Sequence, residues 1–65
     1  MRDWLIEARE ALGMRQSAVA RAAGISQASY FNIEHEKRGV AVPTAKAIAA
    51  VLGFDWTRFY EEGGD

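Results

Sequence analysis

The chain has 65 residues, 49% of them hydrophobic, with nine acidic and eight basic side chains and a net charge of −1. That length admits one small domain with a modest core, and the lack of cysteine excludes both a disulfide framework and a thiolate metal site. No apolar run is long enough to cross a bilayer and no basic-then-apolar leader opens the chain, so the expected address is cytoplasmic.

Trp4, Leu5, Ala8, Ala11 and Leu12 recur at helical spacing and predict an amphipathic helix over 3–12, with Asp3 as its cap and Gly13 as its end. A second helix is predicted from Arg15 or Gln16 to Ala23, where Gly24 supplies the positive φ of a tight corner. Ser26 caps a third helix running through Glu34 or slightly further. From His35 to Val42 the chain is polar and reads as a loop carrying Lys37 and Arg38. Pro43 suits the first turn of a fourth helix packed through Ala45, Ala47, Ile48, Val51 and Leu52, and Gly53 stops it. Asp55 caps a last short helix from Trp56 to about Glu62. The expected fold is all-α and compact, with five helices in one domain over 1–62 and a frayed tail over 63–65.

The segment from Gln16 to Glu34 carries the strongest signal. Counting from Gln16, a small residue stands at Ala20, where two helix backbones approach closely, and a turn glycine at Gly24; apolar side chains occupy Val19, Ala23, Ile25, Tyr30 and Ile33. That combination is the pattern of a helix-turn-helix, whose second helix is the element that enters a DNA major groove. The global charge argues against nucleic acid, but its distribution does not. Residues 15 to 46 carry five basic side chains against two acidic ones, a net +3, and residues 53 to 65 carry four acidic against one basic, a net −3. Either a phosphate-facing side has an acidic side turned away from it, or the charges are an unselected solvated surface.

With Leu12-Gly13-Met14-Arg15-Gln16 before the motif, Ala20 to Glu34 within it, Lys37-Arg38 after it and Ala49 to Trp56 at the end, the chain resembles the repressor/Cro-type, or XRE, helix-turn-helix regulators of phages and bacteria. The resemblance implies a five-helix domain that binds operator DNA, usually as a two-fold dimer. It also implies that Gln16 clamps the DNA backbone, and that Arg9 and Glu34 form a structural ion pair holding the reading helix on its scaffold. Three departures from the family pattern stand out. Arg15 replaces the Thr or Ser that caps the second helix, His35-Glu36 replaces a terminating Asn-Gly, and Glu36 places a negative charge near the phosphate path, which lowers the expected affinity.

At the exposed start of the third helix, Gln27, Ala28, Ser29 and Asn32 are the candidate base contacts. Gln and Asn match adenine N6 and N7, and the Ala28 methyl matches a thymine methyl. Gln16, Arg15, Lys37 and Arg38 are the candidate phosphate contacts, at a helix N-terminus and on basic side chains. Phe31 either shields the seam with the first helix or lies exposed beside the DNA backbone; the sequence leaves both open.

Phe54, Trp56, Phe59 and Tyr60 crowd the end of the chain. They either cover the core or leave a self-association patch, for which Gly53, Phe54, Asp55, Trp56 and Tyr60 are the candidate dimer interface. The expected partners are double-stranded DNA with a near-palindromic operator and a second copy of the chain, with no membrane, cofactor, metal or small-molecule ligand. An enzyme reading has little beneath it, since His35 is the one histidine and no nucleophile, paired catalytic carboxylate or phosphate loop accompanies it. The expected function is that of a small standalone repressor or Cro-like switch on the nucleoid. The competing reading is an antitoxin-like or anti-repressor module that uses the same fold to bind protein.

Overall fold

The structure is a computed structural model that describes residues 1–36 and 39–61. Among those residues there are four α-helices and one 3-10 helix: α1 Asp3–Ala11, α2 Gln16–Ala23, α3 Gln27–His35, α4 Val42–Leu52, then the 3-10 helix Trp56–Tyr60. The fifth element is therefore not an α-helix. Its amides close on carbonyls three residues back, Arg58 on Asp55 at 3.0 Å and Glu61 on Arg58 at 3.2 Å, because a five-residue segment is too short to repay the longer α ring. The expected end at Glu62 and the frayed tail at 63–65 lie outside the described residues.

The helix ends follow from local chemistry. α2 stops at Gly24, which sits in the left-handed region at φ 76°, and its amide and that of Ile25 close on Arg21 and Ala20 at 3.1 and 3.0 Å. These are the two bonds of a Schellman termination, and only glycine takes that conformation without a Cβ penalty. Ser26 then opens α3, its Oγ accepting from the Ser29 amide at 3.0 Å. Pro43 lies in the first turn of α4, where no N–H is required. Asp55 opens the 3-10 helix by accepting from the Thr57 amide and hydroxyl at 3.0 and 2.8 Å.

One expected cap is replaced. Asp3 is the first residue of α1, not its cap; Arg2 holds the cap position, with its carbonyl accepting from Leu5 and Ile6. Asp3 instead places its charge at the positive end of the helix dipole.

α2 packs on α3 and α4, α1 on α3, and the 3-10 helix on α4. Leu5, Val19, Ala20, Tyr30, Val40, Ala45, Ile48, Leu52 and Phe59 form the core. Ala20 is small because it lies where α2 meets its neighbours; its side chain is almost fully enclosed. Trp4 joins the end of the chain to α1 by meeting Phe54 and Phe59 edge-on, each at 5.1 Å between ring centroids. No helix is long and apolar enough to cross a membrane among the described residues.

Candidate nucleic-acid interface

The corner at Gly24, Ile25 and Ser26 separates α2 from α3, which pack on each other. The two buried residues of α3, Tyr30 and Glu34, and half-buried Ile33 face inward. Gln27, Ala28, Ser29, Phe31 and Asn32 are exposed. The first turn and outer face of the helix are thus presented to solvent, and the inner face is fixed by the core.

What fixes it is a buried charge. Glu34 is fully enclosed, and its Oε2 accepts from Arg9 Nε of α1 at 2.6 Å. Its Oε1 accepts from Arg9 Nη2 at 3.3 Å and from Gln16 Nε2 of α2 at 2.9 Å. Arg9 Nη1 donates to the Met14 carbonyl at 3.0 Å, which ties down the turn between α1 and α2. One carboxylate therefore links three helices. Burial pushes its pKa up, but the Arg9 guanidinium, the neighbouring Tyr30 hydroxyl and the Gln16 amide together outweigh that and hold it below the ordinary carboxylate value. The same bond to Glu34 raises the Arg9 pKa. Beside the pair, the Tyr30 hydroxyl is buried and has no hydrogen-bond partner among the described residues, and burial together with the Glu34 carboxylate pushes its pKa up.

The C-terminal end of α3 is held further by a residue that no local sequence pattern singles out. Arg2 is 2% exposed. Its amide donates to the Glu34 carbonyl at 2.7 Å, and its Nη1 donates to the carbonyls of Ile33 and Glu36 at 2.6 and 2.9 Å. Its guanidinium lies 5.5 Å from the Phe59 ring centre. α3 ends on Glu36 in an extended conformation, without a left-handed glycine. A cation at that end satisfies the terminal carbonyls and opposes the helix dipole.

The candidate base contacts Gln27, Ala28, Ser29 and Asn32 come together on the exposed part of α3, although Ser29 is also engaged locally, its Oγ accepting from Ser26 Oγ at 2.9 Å. Of the candidate phosphate contacts, Arg15 is exposed at the start of α2. Gln16, half-buried at the start of α2, gives one of its two amide hydrogens to Glu34. Lys37 and Arg38 lie outside the described residues. Phe31 is exposed, at 46%, and its ring stacks on His35 with centroids 4.1 Å apart.

The residues considered for a dimer interface divide. Phe54 is drawn inward against Trp4 and Phe59. Gly53 and Asp55 serve as helix caps. Trp56 meets Tyr60 edge-on at 5.9 Å and carries Lys46 Nζ 5.1 Å above its ring. Tyr60 is half exposed, its hydroxyl donating to the Val40 carbonyl. Among the described residues no cluster of His, Asp and Glu could hold a metal ion.

Residues 5–59 match the helix-turn-helix family. Over 62 residues the chain is 45% identical to the uncharacterized HTH-type transcriptional regulator YqaF of Bacillus subtilis (strain 168), covering 95% of this chain and 82% of that protein. No solved structure matches at a significant level. With the corner at Gly24, the capped α3 and the match across nearly its whole length, the chain belongs to the XRE-type helix-turn-helix family of DNA-binding transcriptional regulators.

Proposed function

We propose that this chain is a repressor or Cro-like regulator that inserts α3 into the major groove of a near-palindromic operator, one α3 from each copy of a homodimer. The observation that carries this reading is the division of α3: Tyr30 and Glu34 are locked inside, while Gln27, Ala28 and Asn32 stand exposed on a helix that cannot roll. Gln27 and Asn32 read adenine edges, Ala28 meets a thymine methyl, and Ser29 is the fourth base contact. Gln16 and Arg15 take phosphates at the start of α2, joined by Lys37 and Arg38 after α3. In the dimer, Trp56 and Tyr60 pack across a two-fold axis at the Gly53–Asp55 corner, with half-sites about 34 Å apart.

Sites selected from random duplex DNA, followed by affinities for the best site and a scrambled one, test the reading. Gln27→Ala and Asn32→Ala are each expected to lose about 1–3 kcal/mol on the selected site and little on the scrambled one. Arg15→Ala is expected to weaken both alike and to flatten the slope of log K against log salt by about 0.9. Equal losses on both duplexes for Gln27→Ala and Asn32→Ala refute base reading. A chain that enriches no DNA sequence points instead to a protein partner. Sedimentation with and without the duplex checks the homodimer; a monomer in both conditions removes it.

A further inference from the structure

Resting on the reading of α3 as the groove-entering helix, we infer that Phe31, braced by His35, is a specificity-determining residue that recognises a thymine 5-methyl group. Counted from Ala28, the residues at steps of three, four and seven are Phe31, Asn32 and His35, and that spacing puts all four on one side of an α-helix. The buried residues Tyr30 and Glu34 form the adjacent, packed stripe, and Phe31 stands at the border between the two. With its ring exposed, Phe31 extends the stripe of the candidate base contacts Ala28 and Asn32.

Two further observations give it a ligand. Phe31 leaves 46% of its surface exposed, on a face where its neighbours Gln27, Ala28 and Asn32 are polar or small. It is therefore the large apolar contact available to whatever that face meets. Its ring is also held in place: His35, one turn on, stacks on it at 4.1 Å with 28° between the planes. A fixed ring on a groove-facing stripe offers apolar surface, and in the major groove the complementary apolar group on a base edge is the C5 methyl of thymine. Cytosine carries only a hydrogen at that carbon and the purines present polar atoms along the groove edge, so a thymine at the contacted position is favoured.

The test replaces each thymine of the duplex selected by the full-length chain with deoxyuridine, which deletes the methyl and keeps every hydrogen-bonding group. Affinities are measured for the wild type, Phe31→Ala and His35→Ala, with thermal melts confirming that each variant folds. At one or more thymines the wild type is expected to lose about fourfold, the equivalent of about 0.8 kcal/mol for one methyl-sized group removed from burial. The same replacement is expected to leave Phe31→Ala unchanged within twofold, with His35→Ala between the two. If deoxyuridine weakens wild type and Phe31→Ala equally at every position, or no thymine matters, the inference is wrong while the DNA-reading function stands. A wild-type chain that enriches no duplex overturns both.

Discussion

Removing Arg9 is the perturbation whose effect is largest and most diagnostic. Arg9→Ala leaves the enclosed Glu34 carboxylate with Gln16 as its remaining hydrogen-bond donor of ordinary geometry. Breaking a buried pair from one side costs about 3–5 kcal/mol. Total stability for 65 residues is about 3–10 kcal/mol. The side chain of Arg9 is 13% exposed and that of Glu34 0%, so solvent relieves little of the penalty. At about 4–8 °C per kcal/mol, a loss of 3 kcal/mol lowers Tm by about 12–24 °C. The pH dependence also changes sign. In the wild type the Glu34 pKa is depressed by folding, so its contribution is present above the unfolded carboxylate pKa and is lost as pH falls through the folded value. Without Arg9, burial dominates and the folded pKa rises above the unfolded one. The carboxyl then folds comfortably when protonated and loses stability as pH rises through the raised value. Circular dichroism melts at pH 4 and pH 7 test both parts. A variant melting within a few degrees of wild type at pH 7, or becoming less stable toward pH 4 just as the wild type does, refutes the reasoning.

Arg2→Ala removes two charged hydrogen bonds to the end of α3 and is expected to cost about 2 kcal/mol in urea unfolding, with faster hydrogen exchange in the last turn of α3; unchanged exchange there contradicts the capping role. Tyr30→Phe deletes a buried hydroxyl that has no partner among the described residues, and is expected to leave stability equal or raise it by about 1 kcal/mol; a loss of that size in the same assay shows that the hydroxyl is bonded. Gly24→Ala places a Cβ in open space but in the left-handed region, so strain alone is expected to cost about 1–2 kcal/mol by chemical denaturation, and no loss contradicts the conformational argument.

The features legible in the sequence were those decided within a few residues. Gly24, Ser26, Gly53 and Asp55 end or begin helices through their own backbone or side chain, so spacing and residue type sufficed. The apolar faces of α2 and α4 follow helical periodicity in the same way. The role of Arg2 was not legible, because its partners Ile33 and Glu36 lie more than thirty positions away and no local rule points to them. The hydrogen bond from Gln16 to Glu34 depends likewise on how α2 meets α3. The orientation of Phe31 was open because its register borders the packed stripe, and only the exposure of α3 and the stack on His35 decide it. The terminal segment was legible as a short helix capped by Asp55 but not as a 3-10 one, because an N-cap and aromatic spacing do not distinguish one turn of 3-10 helix from the start of a longer α-helix.

The central claim, that the outward side of α3 is the surface that meets DNA, is tested most directly by following backbone amide resonances while a selected duplex is titrated into the labelled chain. The largest changes are expected at Gln27, Ala28, Phe31 and Asn32 and at the start of α2 around Gln16, with the 3-10 helix responding only through dimer formation. Changes centred on Trp56 to Tyr60, with the amides of α3 undisturbed at saturating duplex, would contradict it.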